Sequence, residues 1–385
     1  MNFDKTPLNE FVTLQRGFDL PKDDRIEGNV PVVASTGIGG YHHEAKASAP
    51  GVVIGRSGSI GGGQYIEQDF WPLNTTLWVK DFKGHDPRYV YYLMRSIDFS
   101  TFNVGSGVPT LNRNHLSSLL VNEQGHESEK RIAKHLGDID DKIAVNTKTN
   151  QTLEEMAQTI FKSWFVDFDP VKAKMNGEQP EGMDAATASL FPEKLVESEL
   201  GLIPEGWRVK KIGDVVERYS VGKKYSQKTA VESGLVPILD QGKSGIIGYH
   251  NDKPGVKASL DNPIIVFANH TCYMKLVTYD FSAIQNVLPF KLNGCDIYWS
   301  YLATQGKQRF VEYKGHWPDF MIHEIVVPSE ELMKRFGELV KPFYSQVASN
   351  ENQNKSLAKL RDTILPKLLS GEIELGTSEE LVEAI

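Results

Sequence analysis

The sequence predicts an α+β protein: two β-rich modules, each followed by a long helix, the helices packed antiparallel as a coiled coil about a pseudo-twofold axis. Three observations predict it. The first is a direct repeat. Asn146-Thr-Lys-Thr-Asn150-Gln-Thr-Leu153 recurs 204 positions later as Asn350-Glu-Asn-Gln-Asn354-Lys-Ser-Leu357, and Ile139, Ile143, Ile160 and Trp164 map at that offset onto Phe343, Val347, Ile364 and Leu368. The second is a pair of segments, 1–125 and 207–330, rich in Gly, Pro, Val, Ile and aromatic residues and broken by turn signals such as Ala49-Pro-Gly51 and Gly61-Gly-Gly63. Such runs read as short strands. The third is a seam of period 3.5 through 126–165 and again through 331–371.

Each element follows from local chemistry. Leu8-Asn-Glu-Phe-Val12 opens the first module and Ile212-Gly-Asp-Val-Val216 the second, again 204 apart. Ala49-Pro-Gly-Val-Val-Ile-Gly55 is echoed by Asp261-Asn-Pro-Ile-Ile-Val-Phe267, and Gly40-Tyr41-His42 by Gly248-Tyr249-His250. Pro87-Arg-Tyr-Val-Tyr-Tyr-Leu-Met94 predicts a helix that Ile297-Tyr-Trp-Ser-Tyr-Leu302 repeats. Along the first long helix, positions 136, 139, 143, 146, 150, 153, 157, 160 and 164 are Leu, Ile, Ile, Asn, Asn, Leu, Ala, Ile and Trp. In the second, Phe336, Val340, Phe343, Val347, Asn350, Asn354, Leu357, Arg361, Ile364 and Leu368 keep the frame, and only Arg361 breaks it. Two helices each packed on its own module would be the simpler arrangement, but a seam sustained in both copies favours their packing on each other. Asn146 and Asn150 are then expected to face Asn354 and Asn350 as a polar layer, or else to face water where the seam opens. The stretch 166–206, with four prolines and a net charge of −6, reads as a connector with one short helix near Ala185–Leu190, and 372–385 as an acidic tail.

At 385 residues the chain is long enough for two or three domains with cores of their own. No run approaches the 18 or so apolar residues of a membrane helix, and Met1-Asn-Phe-Asp-Lys lacks a signal-peptide core. Cys272 and Cys295, with no CxxC spacing, read as reduced residues of a cytoplasmic protein. The net charge of −8 argues against a chain that grips DNA phosphates unaided. Much of that acidity lies in the connector, however, and 207–330 carries +3.

No catalytic motif stands out. Gly55-Arg-Ser-Gly-Ser-Ile-Gly-Gly-Gly63 lacks the lysine and the following helix of a phosphate-binding loop. No Asn-Pro-Pro-aromatic run exists for holding an extruded base. Adjacent His42 and His43, and His270 with Cys272, lack metal-ligand spacing. A carboxylate site could be sought at Glu67 with Asp69, or at Asp138 with Asp140 and Asp141, but the latter trio reads as a solvated helix face.

The loops instead offer polar and aromatic side chains bracketed by glycine in both modules. In the first these are Ser35, Thr36, Tyr41 and His42; Arg56, Ser57 and Ser59; and Ser106, Thr110, Asn112 and Arg113. In the second they are Lys223, Lys224 and Tyr225; Gln241, Lys243 and Ser244; Tyr249 and His250; Asn269 and His270; and Lys314, His316 and Trp317. Such residue types hydrogen-bond base edges and phosphates, and glycine admits close backbone approach. Any single one is explained as well by a strand turn, so the case rests on whole loops. A twin β-rich scaffold for a polysaccharide or a protein is the alternative; its loops would favour exposed Trp and acidic residues, where the second module favours Lys and Asn.

Four segments carry a family resemblance: Gly105-Ser-Gly-Val-Pro-Thr-Leu, Gln158-Thr-Ile-Phe-Lys-Ser-Trp-Phe-Val-Asp-Phe-Asp-Pro170, Leu200-Gly-Leu-Ile-Pro-Glu-Gly-Trp207 and Thr363-Ile-Leu-Pro-Lys-Leu-Leu-Ser-Gly-Glu-Ile373. The chain resembles, nearly end to end, the specificity (S) subunit of a type I restriction-modification system. One departure is that Thr6-Pro-Leu-Asn-Glu lacks the Trp that opens the second half, so a different packing of the first opening strand is expected. The resemblance implies target-recognition domains at 1–125 and 207–330 and long helices at 126–165 and 331–371. It implies a subunit that does no chemistry and binds no cofactor itself. Double-stranded DNA would be its target, two methyltransferase subunits would bring S-adenosylmethionine for adenine N6 methylation, and two restriction/motor subunits would bring ATP.

Overall fold

The computed structural model describes residues 4–105, 107–242 and 245–375. It falls into two compact units: the chain up to Asn146 with the chain from Asn352 onward, and Thr147–Glu351 between them. Each therefore contains one β-rich module and one half of each long helix, His126–Phe165 and Glu330–Ser370.

The internal plan is the same in both. In the first unit a four-stranded sheet has the order Thr13–Arg16, Thr76–Asp81, Gly51–Gly55, Gly61–Ile66, and a three-stranded sheet the order Gly37–His42, Val30–Ala34, Trp71–Pro72. In the second, Val216–Arg218, Val287–Leu292, Ile264–Ala268 and Met274–Val277 form the larger sheet, and Ile246–His250, Val236–Leu239 and Ser282–Ala283 the smaller. The central strands Gly51–Gly55 and Ile264–Ala268 are buried along their whole length, which is why they read as unbroken apolar runs. The helices Pro87–Ser96 and Ile297–Thr304 cover these sheets. Each starts on an aspartate N-cap. Asp86 accepts from the Arg88 and Tyr89 amides at 2.8 and 2.9 Å, and Asp296 from those of Tyr298 and Trp299 at 2.8 and 3.0 Å.

The missing Trp does not change the opening strand. Lys5–Pro7 pairs antiparallel with Leu120–Asn122, as Arg208–Lys211 does with Glu324–Val327. Backbone pairing sets this position. Trp207 instead packs on Phe165 and Phe168 in the core of the second unit.

The seam positions of both long helices are buried or half-buried. In the first unit Ile132 and Leu136 join Leu365 and Leu368 in one core; in the second Ala157 and Trp164 join Phe336 and Val340. The amides sit at the ends of these half-seams. In the first unit Asn146 donates to Asn354 at 2.8 Å and to Gln353 at 2.7 Å. In the second, Asn350 donates to Asn150 at 2.8 Å and accepts from Gln346 at 2.8 Å. Within each unit the helix halves run antiparallel.

Two expectations need correction. The acidic trio is not one solvated face: Asp138 pairs with exposed Lys134, but Asp140 accepts from Tyr92 at 2.7 Å and from Arg361 at 2.5 Å, and Asp141 pairs with Arg88. Arg361 thus holds its seam position at 9 % exposure, because Asp140 and Asp362 neutralise it. The connector is no simple tether either. It forms helices Asp169–Met175 and Ala185–Ser189 and a hairpin, Leu195–Ser198 with Gly201–Pro204, and Val171 and Phe191 enter the core of the second unit. Pro170 stands in the first turn of its helix, where proline costs no hydrogen bond. The acidic tail beyond 375 lies outside the described residues. Among those described, no helix is long and apolar enough to cross a membrane.

Removing one member of a buried ion pair strands the other. Asp140→Ala is expected to lower unfolding stability by about 2 kcal/mol, the partial exposure of the pair discounting the full penalty. Asp140→Leu with Arg361→Leu should recover most of that loss in urea denaturation.

Candidate nucleic-acid interface

At the exit of the central strand in each unit the backbone makes the same two connections. In the first, the Arg56 amide donates to the Thr75 carbonyl at 2.8 Å, and the Leu111 amide donates to the Arg56 carbonyl at 2.8 Å. In the second, the Asn269 amide donates to Asn286 O at 2.9 Å, and the His316 amide to Asn269 O at 2.8 Å. Three loops far apart in sequence are thereby sewn into one cluster per unit.

In the first cluster the Gly58 amide donates to Pro109 O at 3.0 Å, and Ser57 bridges to Thr110. Asn103 closes the returning loop by accepting from the Gly105 and Thr110 amides, both at 2.9 Å. A Cβ on Gly105 would lie 1.9 Å from the Val108 carbonyl oxygen, so the turn requires glycine. Half-buried Arg56 donates to the Asn74 carbonyl at 3.2 Å. Ser35 lies beside this loop, and Thr36, Ser59, Asn112 and Arg113 are exposed.

The second cluster is knit by amide side chains. Gln241 accepts from the His270 amide at 3.0 Å through its side chain and from the Thr271 hydroxyl at 2.5 Å through its carbonyl. Asn269 accepts from the Trp317 amide at 2.8 Å. The His270 ring lies 4.9 Å from that of Tyr313. The cations are already engaged: Lys223 pairs with Asp252 at 2.7 Å, and Lys314 with Asp319 at 3.2 Å and Glu312 at 3.4 Å. The bonded carboxylates hold both lysines above the usual ammonium range, so each is charged and partly neutralised. Lys224 is exposed.

Residues 2–155 match the family described as the type I restriction modification DNA specificity domain. That match spans the first β-rich module and most of the first long helix. The chain is similar to the type I restriction enzyme HindI specificity subunit of Haemophilus influenzae, 27 % identical over 328 residues, covering 69 % of this chain and 71 % of that one. It is also similar to the MjaIX specificity subunit of Methanocaldococcus jannaschii, 25 % identical over 316 residues, covering 74 % and 69 %. The fold is similar to that of an S subunit from M. genitalium, with a TM-score of 0.57, 15 % identity and 96 % of each chain covered.

Four of the residues expected to meet DNA are instead internal struts. His42, Tyr225, His250 and His316 are 4, 6, 5 and 0 % exposed. The Nδ1 atoms of His42 and His250 accept from the Ile26 and Asp252 amides at 3.1 and 3.0 Å, and Tyr225 stacks on His250 at 4.1 Å. His316 faces the Glu312 carbonyl at 3.0 Å. Imidazole serves here as a buried core group hydrogen-bonded through at least one nitrogen, which a glycine-bracketed sequence context does not reveal. Tyr41 is exposed, whereas Tyr249 is half-buried and Trp317 packs on Phe267 and Phe290. Ser106, Lys243 and Ser244 lie outside the described residues. The Glu67 and Asp69 pair also has a structural use, since Asp69 accepts from the Ala49 amide at 2.9 Å.

Sequence reasoning passed over Phe310, Val311 and Tyr313, which are 55, 78 and 81 % exposed on the loop that returns to Trp317. Apolar letters suggest core. The usable signal was their placement between Lys307, Arg309 and Lys314 with neither helical nor strand periodicity.

Asn269 organises this loop through one acceptor. Asn269→Ala should cost about 1–2 kcal/mol by leaving the Trp317 amide unpaired. Limited proteolysis should then cut between 305 and 316 faster than in the parent, with other sites unchanged.

Proposed function

We propose that this chain reads double-stranded DNA as a bipartite target, with one loop cluster per unit addressing one half-site across an unread spacer. The observation that carries this is the recurrence of one backbone-sewn cluster at the same topological place in two modules whose loop side chains differ. The shared scaffold supplies position, and the differing side chains supply two specificities. Arg56, Ser57, Ser59, Thr110, Asn112 and Arg113 are the base and phosphate contacts of the first half-site; Lys223, Lys224, Gln241, Asn269, His270 and Lys314 are those of the second.

The chain performs recognition, and chemistry resides in the assembly: two methyltransferase subunits that bind S-adenosylmethionine and two restriction/motor subunits that use ATP. Its electrostatics support this division. Lys223 and Lys314 are countered by carboxylates of their own unit, which weakens their attraction for phosphate. A gel shift tests the proposal. The chain alone should bind target DNA weakly, and adding methyltransferase subunits should produce a specific shift. Saturable oligosaccharide binding with no DNA shift in either condition would favour the non-DNA scaffold.

Two further outcomes follow. Arg56→Ala should relax base preference in one half-site by about 1–3 kcal/mol, read by methylation of a randomised-site library, and leave the other half-site unchanged. Replacing Asn146, Asn150, Asn350 and Asn354 together with Leu should leave the protein folded while blurring discrimination between targets whose spacers differ by one base pair. A polar layer penalises registers that set Asn against Leu or Ile, and that penalty is lost in the variant. Unchanged discrimination would remove the amides from spacer control.

A further inference from the structure

The repeat supplies an internal comparison at the start of each long helix. In the second unit the position is apolar: Met333 is 1 % exposed within the core, with Cys295 packed against it. Burial, chiefly, pushes the Cys295 thiol up to about 11. In the first unit the equivalent positions, aligned on the Asp86 and Asp296 caps and on the 204-residue helix offset, are His85, His126 and Glu129.

Glu129 is fully buried there. Its Oε1 lies 2.8 Å from His85 Nδ1, and its Oε2 accepts from the Asp86 amide at 3.4 Å. The His126 ring is 5.7 Å from that of His85, and one ligand atom from each of the three side chains lies within 4.8 Å of the others. Phe11 stacks on His85 at 3.5 Å and 18°, fixing the imidazole plane. Buried Tyr89 raises the stakes: its hydroxyl has no hydrogen-bond partner among the described residues, and burial together with the Glu129 charge holds it protonated. The fold does not need a carboxylate at this point, because its own second copy uses methionine. A buried carboxylate is costly unless a cation or several donors compensate it.

We propose that His85, His126 and Glu129 form a binding site for a divalent transition metal of the zinc class. Two imidazoles and one carboxylate are a borderline donor set that suits Zn2+, Co2+ or Ni2+ and disfavours Ca2+ and Mg2+. His126 and Glu129 are three apart on one helix and so share a face, while His85 comes from the connection ahead of the Pro87–Ser96 helix. The ion ties the β-rich module to the first turn of the long helix, and exposed His126 leaves room for water as the remaining ligand.

The test is a Co2+ titration of the purified full-length chain, followed by visible d–d absorption and calorimetry. One ion per chain is expected. Glu129→Met, which installs the residue of the second copy, and His126→Ala should each weaken binding roughly tenfold or more while circular dichroism stays unchanged. The absence of saturable binding would overturn the proposal and leave a plain His85–Glu129 hydrogen bond. So would binding that survives Glu129→Met and is lost on His43→Ala, which would place the ion at the surface group of His42, His43 and Glu44.

Discussion

The antiparallel pairing of the long-helix halves is the constraint on which the rest depends. Neither β-rich module closes its own core. The first completes its core with Ile132 and Leu136 from one helix and Leu365 and Leu368 from the other, and the second with Trp164, Phe336 and Val340. Segments more than 150 residues apart in sequence must therefore meet before either unit is whole. Apolar burial drives this pairing, while Asn146 with Asn354, Asn150 with Asn350, and Arg361 with Asp140 select its register. A one-turn slip would set amides against Leu or Ile and separate Arg361 from Asp140.

Much of this was legible in the sequence because it is periodic or repeated. The 3.5-residue seam, the buried strands of the two modules and the Asp-capped helices follow from apolar spacing. What escaped were interactions that join residues distant in sequence. Arg361 reads as a break in the seam until Asp140 stands beside it, and the connector reads as a tether until Val171 and Phe191 are seen in a core. His42, His250 and His316 were drawn towards the surface by their glycine-rich surroundings, yet each is buried and hydrogen-bonded inside. Imidazole suits both settings, and only burial separates them. The exposed Phe310, Val311 and Tyr313 reverse the error, being apolar residues held in water by a short loop.

The loop clusters show how such a scaffold accommodates change. The hydrogen bonds that sew Arg56 to Thr75 and Leu111, and Asn269 to Asn286 and His316, are all main-chain bonds. Side chains other than the Asn103, Gln241 and Asn269 that knit the loops can be exchanged without dismantling the connection, so specificity is free to diverge between the copies while their geometry is retained. The same separation explains how the two copies differ at the helix start, with Glu129 in one and Met333 in the other, under one backbone plan.

The central proposal is that the two loop clusters read two separate blocks of DNA. Mapping methylated sites genome-wide in a host carrying this chain together with type I methyltransferase subunits tests it most directly. The account predicts two short specified blocks with an unspecified gap of constant length between them. One continuous specified block, or a gap of variable length, would contradict it.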